Sequence, residues 1–277
     1  MSDEPVDGER IQKVLASAGV ASRREVDRWL QSGRLAVNGR VATPGDRLSG
    51  GEKLTLDGKP LALPKQARAA PRVLLYYKPE GEVCTRSDPQ GRPTIFDRLP
   101  PAGQGRWITV GRLDVNTSGL LLLTTDGDLA NRLMHPSWQV EREYAVRVLG
   151  EVPATAIQRL LEGVALDDGP ARFLSLVEAG GSGANHWYHV VIGEGRKREV
   201  RRLWEAVGVR VNRLIRVRFG PLALPPDMRT GDCRELRMNE FAALYRAVDL
   251  KMPAASPRAP RKILSQKGGK GRARRRK

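Results

Sequence analysis

The chain has little of what metal, redox and cofactor chemistry requires. Its 277 residues hold two cysteines, Cys84 and Cys233, and three histidines, His135, His186 and His189. Two cysteines this far apart point to reduced thiols in a cytosol and away from a disulfide framework. His186 and His189 fall in a predicted strand, where residues three apart point to opposite faces. No carboxylate or cysteine completes a ligand set with them, so no metal centre is expected. The chain lacks both the glycine fingerprint of a dinucleotide site and the G-x-x-x-x-G-K loop that cradles phosphates. Gly180-Gly181-Ser182-Gly183 reads as a turn between strands. Ser118 lacks the G-x-S-x-G context of a nucleophile, and Cys84 reads as packing. No cofactor is therefore expected. No apolar run approaches ~18 residues, the span of a membrane helix. The opening Met1-Ser2-Asp3-Glu4-Pro5 is acidic and polar, unlike a signal peptide, which points to the cytoplasm.

Acidic residues are also missing from the last stretch. From Lys251 to Lys277 there are eleven Lys or Arg and no Asp or Glu. The net charge is +17, so the remainder carries 37 basic against 31 acidic residues, or +6. A basic body with a strongly basic tail suits a polyanion, most simply nucleic acid. Only Ile263 and Leu264 are bulky and apolar in that tail, too few for an amphipathic membrane anchor. Its Pro, Gly, Lys and Arg composition predicts disorder over residues 249–277.

What is present reads as two domains. Over residues 9–59, Ile11, Val14, Leu15 and Ala18 follow a helical period ended by Gly19. Ser22 caps a second helix carrying Val26, Trp29 and Leu30 on one face, with Gly33 as its stop. Leu35 to Val41 is a hairpin around Asn38-Gly39. The proline-containing stretch 60–71 reads as a linker. Residues 72–248 mix strands at 73–77, 107–110, 120–124, 143–148, 173–178, 187–192 and 209–217 with helices at 128–134, 154–161 and 198–206. The order does not alternate strictly, which predicts an α+β domain with a largely antiparallel or mixed sheet.

One stretch concentrates the chemistry. Gly111-Arg112-Leu113-Asp114-Val115-Asn116-Thr117-Ser118-Gly119-Leu120 places a single carboxylate just before the apolar run Leu120 to Leu123. Such a carboxylate is either a structural ion-pair partner or a catalytic group. The densest basic cluster of the body, Arg196-Lys197-Arg198 through Arg201-Arg202, opens a helix after Gly193-Glu194-Gly195. It is either a phosphate-binding surface or a solvated helix face.

These same residues carry a resemblance. Gly111 to Asp114 followed by Thr117 to Leu120 looks like the signature of pseudouridine synthases. Lys78-Pro79-Glu80-Gly81 resembles their first motif, and Glu143-Tyr144-Ala145-Val146 their tyrosine strand. Glu194 to Arg202 resembles the last motif of the RsuA/RluB-type branch acting on ribosomal RNA. Ser22-Arg23-Arg24, Gly33 and Val37-Asn38-Gly39 are similar to the alpha-L RNA-binding domain of a small-subunit ribosomal protein. The basic tail and the match around Arg196 to Trp204 favour the large-subunit branch.

The resemblance implies a cofactor-free isomerase with a mostly antiparallel central sheet, converting uridine to pseudouridine in ribosomal RNA as a monomer. Asp114 would be the essential carboxylate. Tyr144 would stack on the flipped uracil and assist proton transfer. Arg201 would pair with Asp114 and keep it ionised. RNA contacts would come from Arg23, Arg24, Arg28 and Arg34 of the first domain and from Lys78, Arg112, Arg196, Lys197, Arg198 and Arg202. Rival readings are the same reaction on small-subunit RNA, a silent RNA-binding or assembly protein, and a methyltransferase. The silent protein would lack one of Asp114, Tyr144 and Arg201. The methyltransferase would need a glycine-rich donor loop, which is absent.

Overall fold

A computed structural model describes residues 8–63, 70–103, 105–253 and the backbone of Lys262–Ile263. The sequence reading of a disordered tail falls for the rest of 254–277 outside the described residues. So does its reading of 64–69 as linker.

The N-terminal module is built from the predicted helix pair and hairpin. Helix Ile11–Ser17 buries Ile11 and Leu15, and helix Arg23–Gln31 buries Val26 and Leu30. Ser22 Oγ accepts from Glu25 N at 3.1 Å, satisfying an amide that the first turn leaves free. Both helices cover a sheet ordered Arg40–Val41, Leu35–Val37, Leu54–Leu56, Lys59–Leu61. Pro60 and Leu61 thus belong to this sheet, and the connector begins after them. Lys13 Nζ reaches Asp128 Oδ2 of the second module at 2.9 Å.

The larger module is organised by one sheet, ten-stranded among the described residues. Its main path runs Ser175–Ser182, Asn185–Ile192, Arg142–Leu149, Val211–Phe219, Ser118–Thr124, Val73–Lys78, Cys233–Glu235, Lys262–Ile263. Ile108–Val110 pairs with Ser118–Thr124, and Leu222–Ala223 with Val211–Phe219. All pairings are antiparallel except that of Ser118–Thr124 with Val211–Phe219.

Strand Ser118–Thr124 explains the Leu120 to Leu123 run. Leu121 and Leu123 enter one core with Tyr76, Val146, Trp204 and Leu214, while Leu120 and Leu122 enter a second with Leu75, Leu129, Phe241 and Leu244. A strand covered on both faces has no solvent side, so its apolar residues need not alternate. Helix Glu199–Ala206 packs Val200, Leu203 and Trp204 on the first face. Helices Gly127–Met134 and Met238–Ala247 close the second. Leu250 and Met252 also pack there, so the folded body runs past Val248.

The parallel pairing sets Gly119 against Arg216. Gly119 has φ +113°, and a Cβ there would overlap the Arg216 backbone. Two penalties coincide, left-handed backbone and steric overlap. Gly119→Ala is therefore expected to lower the melting temperature sharply, by roughly 5–15 °C for about 2–4 kcal/mol. Scanning calorimetry checks this; a variant melting within a degree of the parent would show that the strand can shift to make room.

Candidate active site

The loop between Ile108–Val110 and Ser118–Thr124 is held by its carbonyls. Cys84 Sγ approaches Leu113 O at 3.4 Å. Thr117 N donates to Asp114 O at 3.0 Å, and Gly81 N to Val115 O at 2.8 Å. Arg201 Nη2 donates to Asn116 O at 2.8 Å. Lys78 Nζ donates to Pro79 O at 2.8 Å, Asp114 O at 3.1 Å and Thr117 O at 3.0 Å. Five successive loop carbonyls, 113 to 117, are thus held by donors from outside the strand ladder. The Asp114 carboxylate makes no hydrogen bond or ion pair among the described residues, although its backbone is fixed.

Two expectations for the cations change here. Lys78 is 0 % exposed, its three N–H bonds end on backbone carbonyls, and burial pulls its pKa down. It is an internal brace and cannot touch RNA. Arg201 does not form the expected ion pair with Asp114. Its Nη1 donates to Val211 O at 3.0 Å and its Nη2 to Asn116 O, so it ties the loop to the sheet. Burial lowers its pKa; Asp114 acts on it only through space, in the opposite direction.

Asp114 and Tyr144 line one cleft of about 920 Å³. Tyr144 is 8 % exposed and its hydroxyl has no protein partner among the described residues. The lining holds seven cations, Arg24, Arg112, Arg142, Arg196, Lys197, Arg198 and Arg216, against the carboxylates of Asp114, Glu194 and Glu199. Such a surplus draws in a polyanion. Arg24 comes from the N-terminal module, so both modules build the wall. Lys197 and Arg198 are exposed, and Arg198 sits in the left-handed region at φ +52° before the helix.

Arg198 pairs with Glu205 at 3.3 Å, and four more of the basic candidates are paired with acids. Arg196 bonds Glu194 through Nε at 2.9 Å and Asp168 through Nη1 at 3.2 Å. Arg202 binds both Asp168 oxygens, at 2.8 and 2.9 Å. Arg196 lines the cleft and Arg202 lies outside its lining, and both are engaged by acids where the sequence reading expects phosphate contacts. In the N-terminal module Arg34 clasps Asp57, with Nε at 2.8 Å, and Arg28 pairs with Glu25. Both pairs are exposed, where such pairing is weak and can exchange for phosphate. They border a shallower hollow with Trp29 and Ser32. Arg23 lies beside Gly127 of the larger module.

Sequence reasoning missed three groups in the cleft: Arg142, Arg216 and Glu199. Arg142 stands two residues before Tyr144, and that period alone puts both on one face of the strand. Glu199 is buried and accepts from Arg196 N at 3.0 Å. Burial first, then the Glu194 carboxylate, pushes its carboxyl up to about 7. Glu194, bonded to the Arg196 guanidinium, is held low.

A raised carboxyl binds its proton more tightly when folded. Stability is then highest below the unfolded value near 4.5 and falls as pH rises towards 7. Glu199→Gln is accordingly expected to melt at the parent's temperature at pH 5 and above it at pH 8. Melting curves at both pH values check this, and equal shifts at the two would contradict it.

Comparison with known proteins fits this geometry. The family model described as RNA pseudouridylate synthase matches residues 72–206, and that of the S4 domain residues 9–54. A Pseudomonas aeruginosa protein named ribosomal large subunit pseudouridine synthase B is 58% identical over 90% of this chain. The chain spans 65% of that relative's length. A Salmonella typhimurium protein of the same name is 55% identical over 90% of this chain and 86% of its own length. A crystal structure of a pseudouridylate synthase superposes with a TM-score of 0.60 at 25% identity, covering 85% of this chain and 99% of that one.

An S4 module joined to a sheet with a cationic cleft defines a two-module RNA-binding fold of the pseudouridylate synthase type. The chain belongs to the RNA pseudouridylate synthase family, in the group that carries an N-terminal S4 domain.

Proposed function

We propose that this protein isomerises uridine to pseudouridine at a defined site in large-subunit ribosomal RNA, working as a monomer in the cytoplasm. The observation that carries the reading is the Asp114 carboxylate, unpaired among the described residues in the lining of a cationic cleft, on a loop whose carbonyls 113 to 117 are all held. A structural carboxylate would have found a partner. Curated relatives named for the large subunit support that substrate over the small-subunit alternative. Among the described residues, no helix is long and apolar enough to cross a membrane.

The reaction needs no co-substrate. The N1–C1′ bond breaks, the base turns, a C5–C1′ bond forms, the C5 proton leaves and N1 gains one. Tyr144 offers a ring on which a flipped uracil stacks, offsetting the few kcal/mol that flipping requires. Asp114 acts at the sugar–base bond. Arg112, Lys197 and Arg198 at the rim take phosphates, with Arg23, Arg24, Arg28 and Arg34 docking the helix-rich module on the RNA without reading sequence.

Because the C5 hydrogen is lost, RNA labelled with tritium at C5 of uridine releases its label to water on turnover. Release from large-subunit RNA and little from small-subunit RNA is the expected result. Equal release from both, or release only from small-subunit RNA, would overturn the substrate assignment.

A further inference from the structure

Two arginines on the cleft floor are buried without an acid. Arg216 is 3 % exposed and Arg142 8 %. Neither forms an ion pair among the described residues. The Arg142 and Arg216 guanidinium carbons each lie 5.2 Å from the Phe219 ring centroid. Arg142 Nη1 is spent on Val140 O at 2.6 Å and Gly193 O at 2.9 Å. Arg216 Nε is spent on Leu120 O at 2.7 Å, but its Nη2 is buried with no partner.

The strand register decides what this nitrogen can meet. Tyr144 and Arg216 are direct partners across antiparallel strands, so their side chains rise side by side from the same face. Arg142 is two residues from Tyr144 on its own strand and shares that face. A base stacked on Tyr144 therefore has its edge next to the Arg216 guanidinium. A phosphate would lose its hydration at the buried Arg216, and keeps it at the exposed Arg112, Lys197 and Arg198. A buried N–H left unmade is unfavourable by about 1–3 kcal/mol, and it would be satisfied only when substrate arrives.

We infer that Arg216 Nη2 donates a hydrogen bond to a carbonyl oxygen of the flipped uracil and stabilises the base as it detaches from the sugar. This rests on the proposed isomerisation. When N1–C1′ breaks, its electron pair stays on the base, spread over N1, O2 and O4. The pair used to make C5–C1′ then comes from the base, C5 releases its proton and N1 is reprotonated. A buried guanidinium beside O2 or O4 favours the charged intermediate over the neutral ground state. Arg142 adds a second cation to the same floor. Arg216 is then a catalytic residue.

The test pairs the protein with RNA carrying uridine, 2-thiouridine or 4-thiouridine at the target, under single-turnover conditions with saturating RNA. Sulfur accepts hydrogen bonds poorly. The wild-type protein should be slowed about 10- to 100-fold by one of the two thio substitutions. Arg216→Gln should be slow on uridine and lose most of that sensitivity, while Arg216→Lys, which keeps the cation, should recover part of the rate. This coupling between one side chain and one oxygen is something a purely structural role would not produce.

Wild-type protein insensitive to both substitutions overturns the inference whether or not the variants fold. Equal thio penalties in wild-type and Arg216→Gln do the same. A normal rate at saturating RNA with weaker affinity and a shallower salt dependence would place a phosphate at Arg216 and also overturn it. Absence of turnover by wild-type protein on plain uridine would instead strike at the isomerase reading itself.

Discussion

Asp114→Asn is expected to leave a folded protein that binds RNA and turns over none of it, a loss of more than about 10³-fold. The change is isosteric, and the carboxylate has no hydrogen bond or ion pair to lose. The loop is held by its carbonyls, through Lys78, Arg201, Gly81 N, Thr117 N and Cys84, and these contacts do not involve the carboxylate. Tritium release, RNA affinity and thermal melting, measured on one preparation, separate the possibilities. Activity within tenfold of the parent would remove Asp114 from the chemistry. A fall in melting temperature of many degrees would show the carboxylate to be structural after all.

The second large effect is expected at a residue that touches no substrate. Lys78→Met fills similar volume but leaves the carbonyls of Pro79, Asp114 and Thr117 without this donor. Asp114 O keeps the Thr117 amide. Each orphaned buried acceptor is unfavourable by about 1–3 kcal/mol, offset in part because a desolvated ammonium is also removed. The net loss should be about 2–4 kcal/mol, a drop of roughly 5–15 °C in melting temperature. Turnover should fall about 100-fold or more even well below the melting point, since a 1 Å displacement of a reacting group is enough for that. RNA affinity should hold, because Lys78 is buried. Weakened RNA binding with normal turnover would return Lys78 to the role its sequence motif suggested.

These two predictions mark where the sequence was informative. Local chemistry was legible: Ser22 as a cap, the hairpin at Asn38-Gly39 with both residues at positive φ, and the Leu120 to Leu123 strand. Asp114 stood out because it is a lone carboxylate beside that strand. Direction of long cationic side chains was not legible. Lys78 turns inward because carbonyls 36 and 39 residues away converge on it. Arg201 reaches Asn116 O, 85 residues back, in preference to the Asp114 carboxylate. Arg196 and Arg202 are claimed by Asp168, which lies at the Gly169–Ala171 hairpin rather than near them in sequence. A motif shows that a cation is required and leaves open which group it serves.

Some of what was missed could have been found. Phe241, Leu244, Tyr245 and Val248 follow the helical period, yet the helix Met238–Ala247 is absent from the expected order of elements. Arg142 shares a face with Tyr144 by the period of a strand. Arg216 could not be placed this way, because its position opposite Tyr144 depends on register shifts in the pairing of the two strands.

The most direct test of the proposed function is a map of pseudouridines in ribosomal RNA. Carbodiimide modification and primer extension would be applied to cells lacking this protein, then to the same cells carrying either the wild-type chain or Asp114→Asn. A stop in large-subunit RNA that vanishes without the protein, returns with wild type and stays absent with Asp114→Asn is the expected result. An unchanged map, or a stop restored equally well by Asp114→Asn, would contradict it.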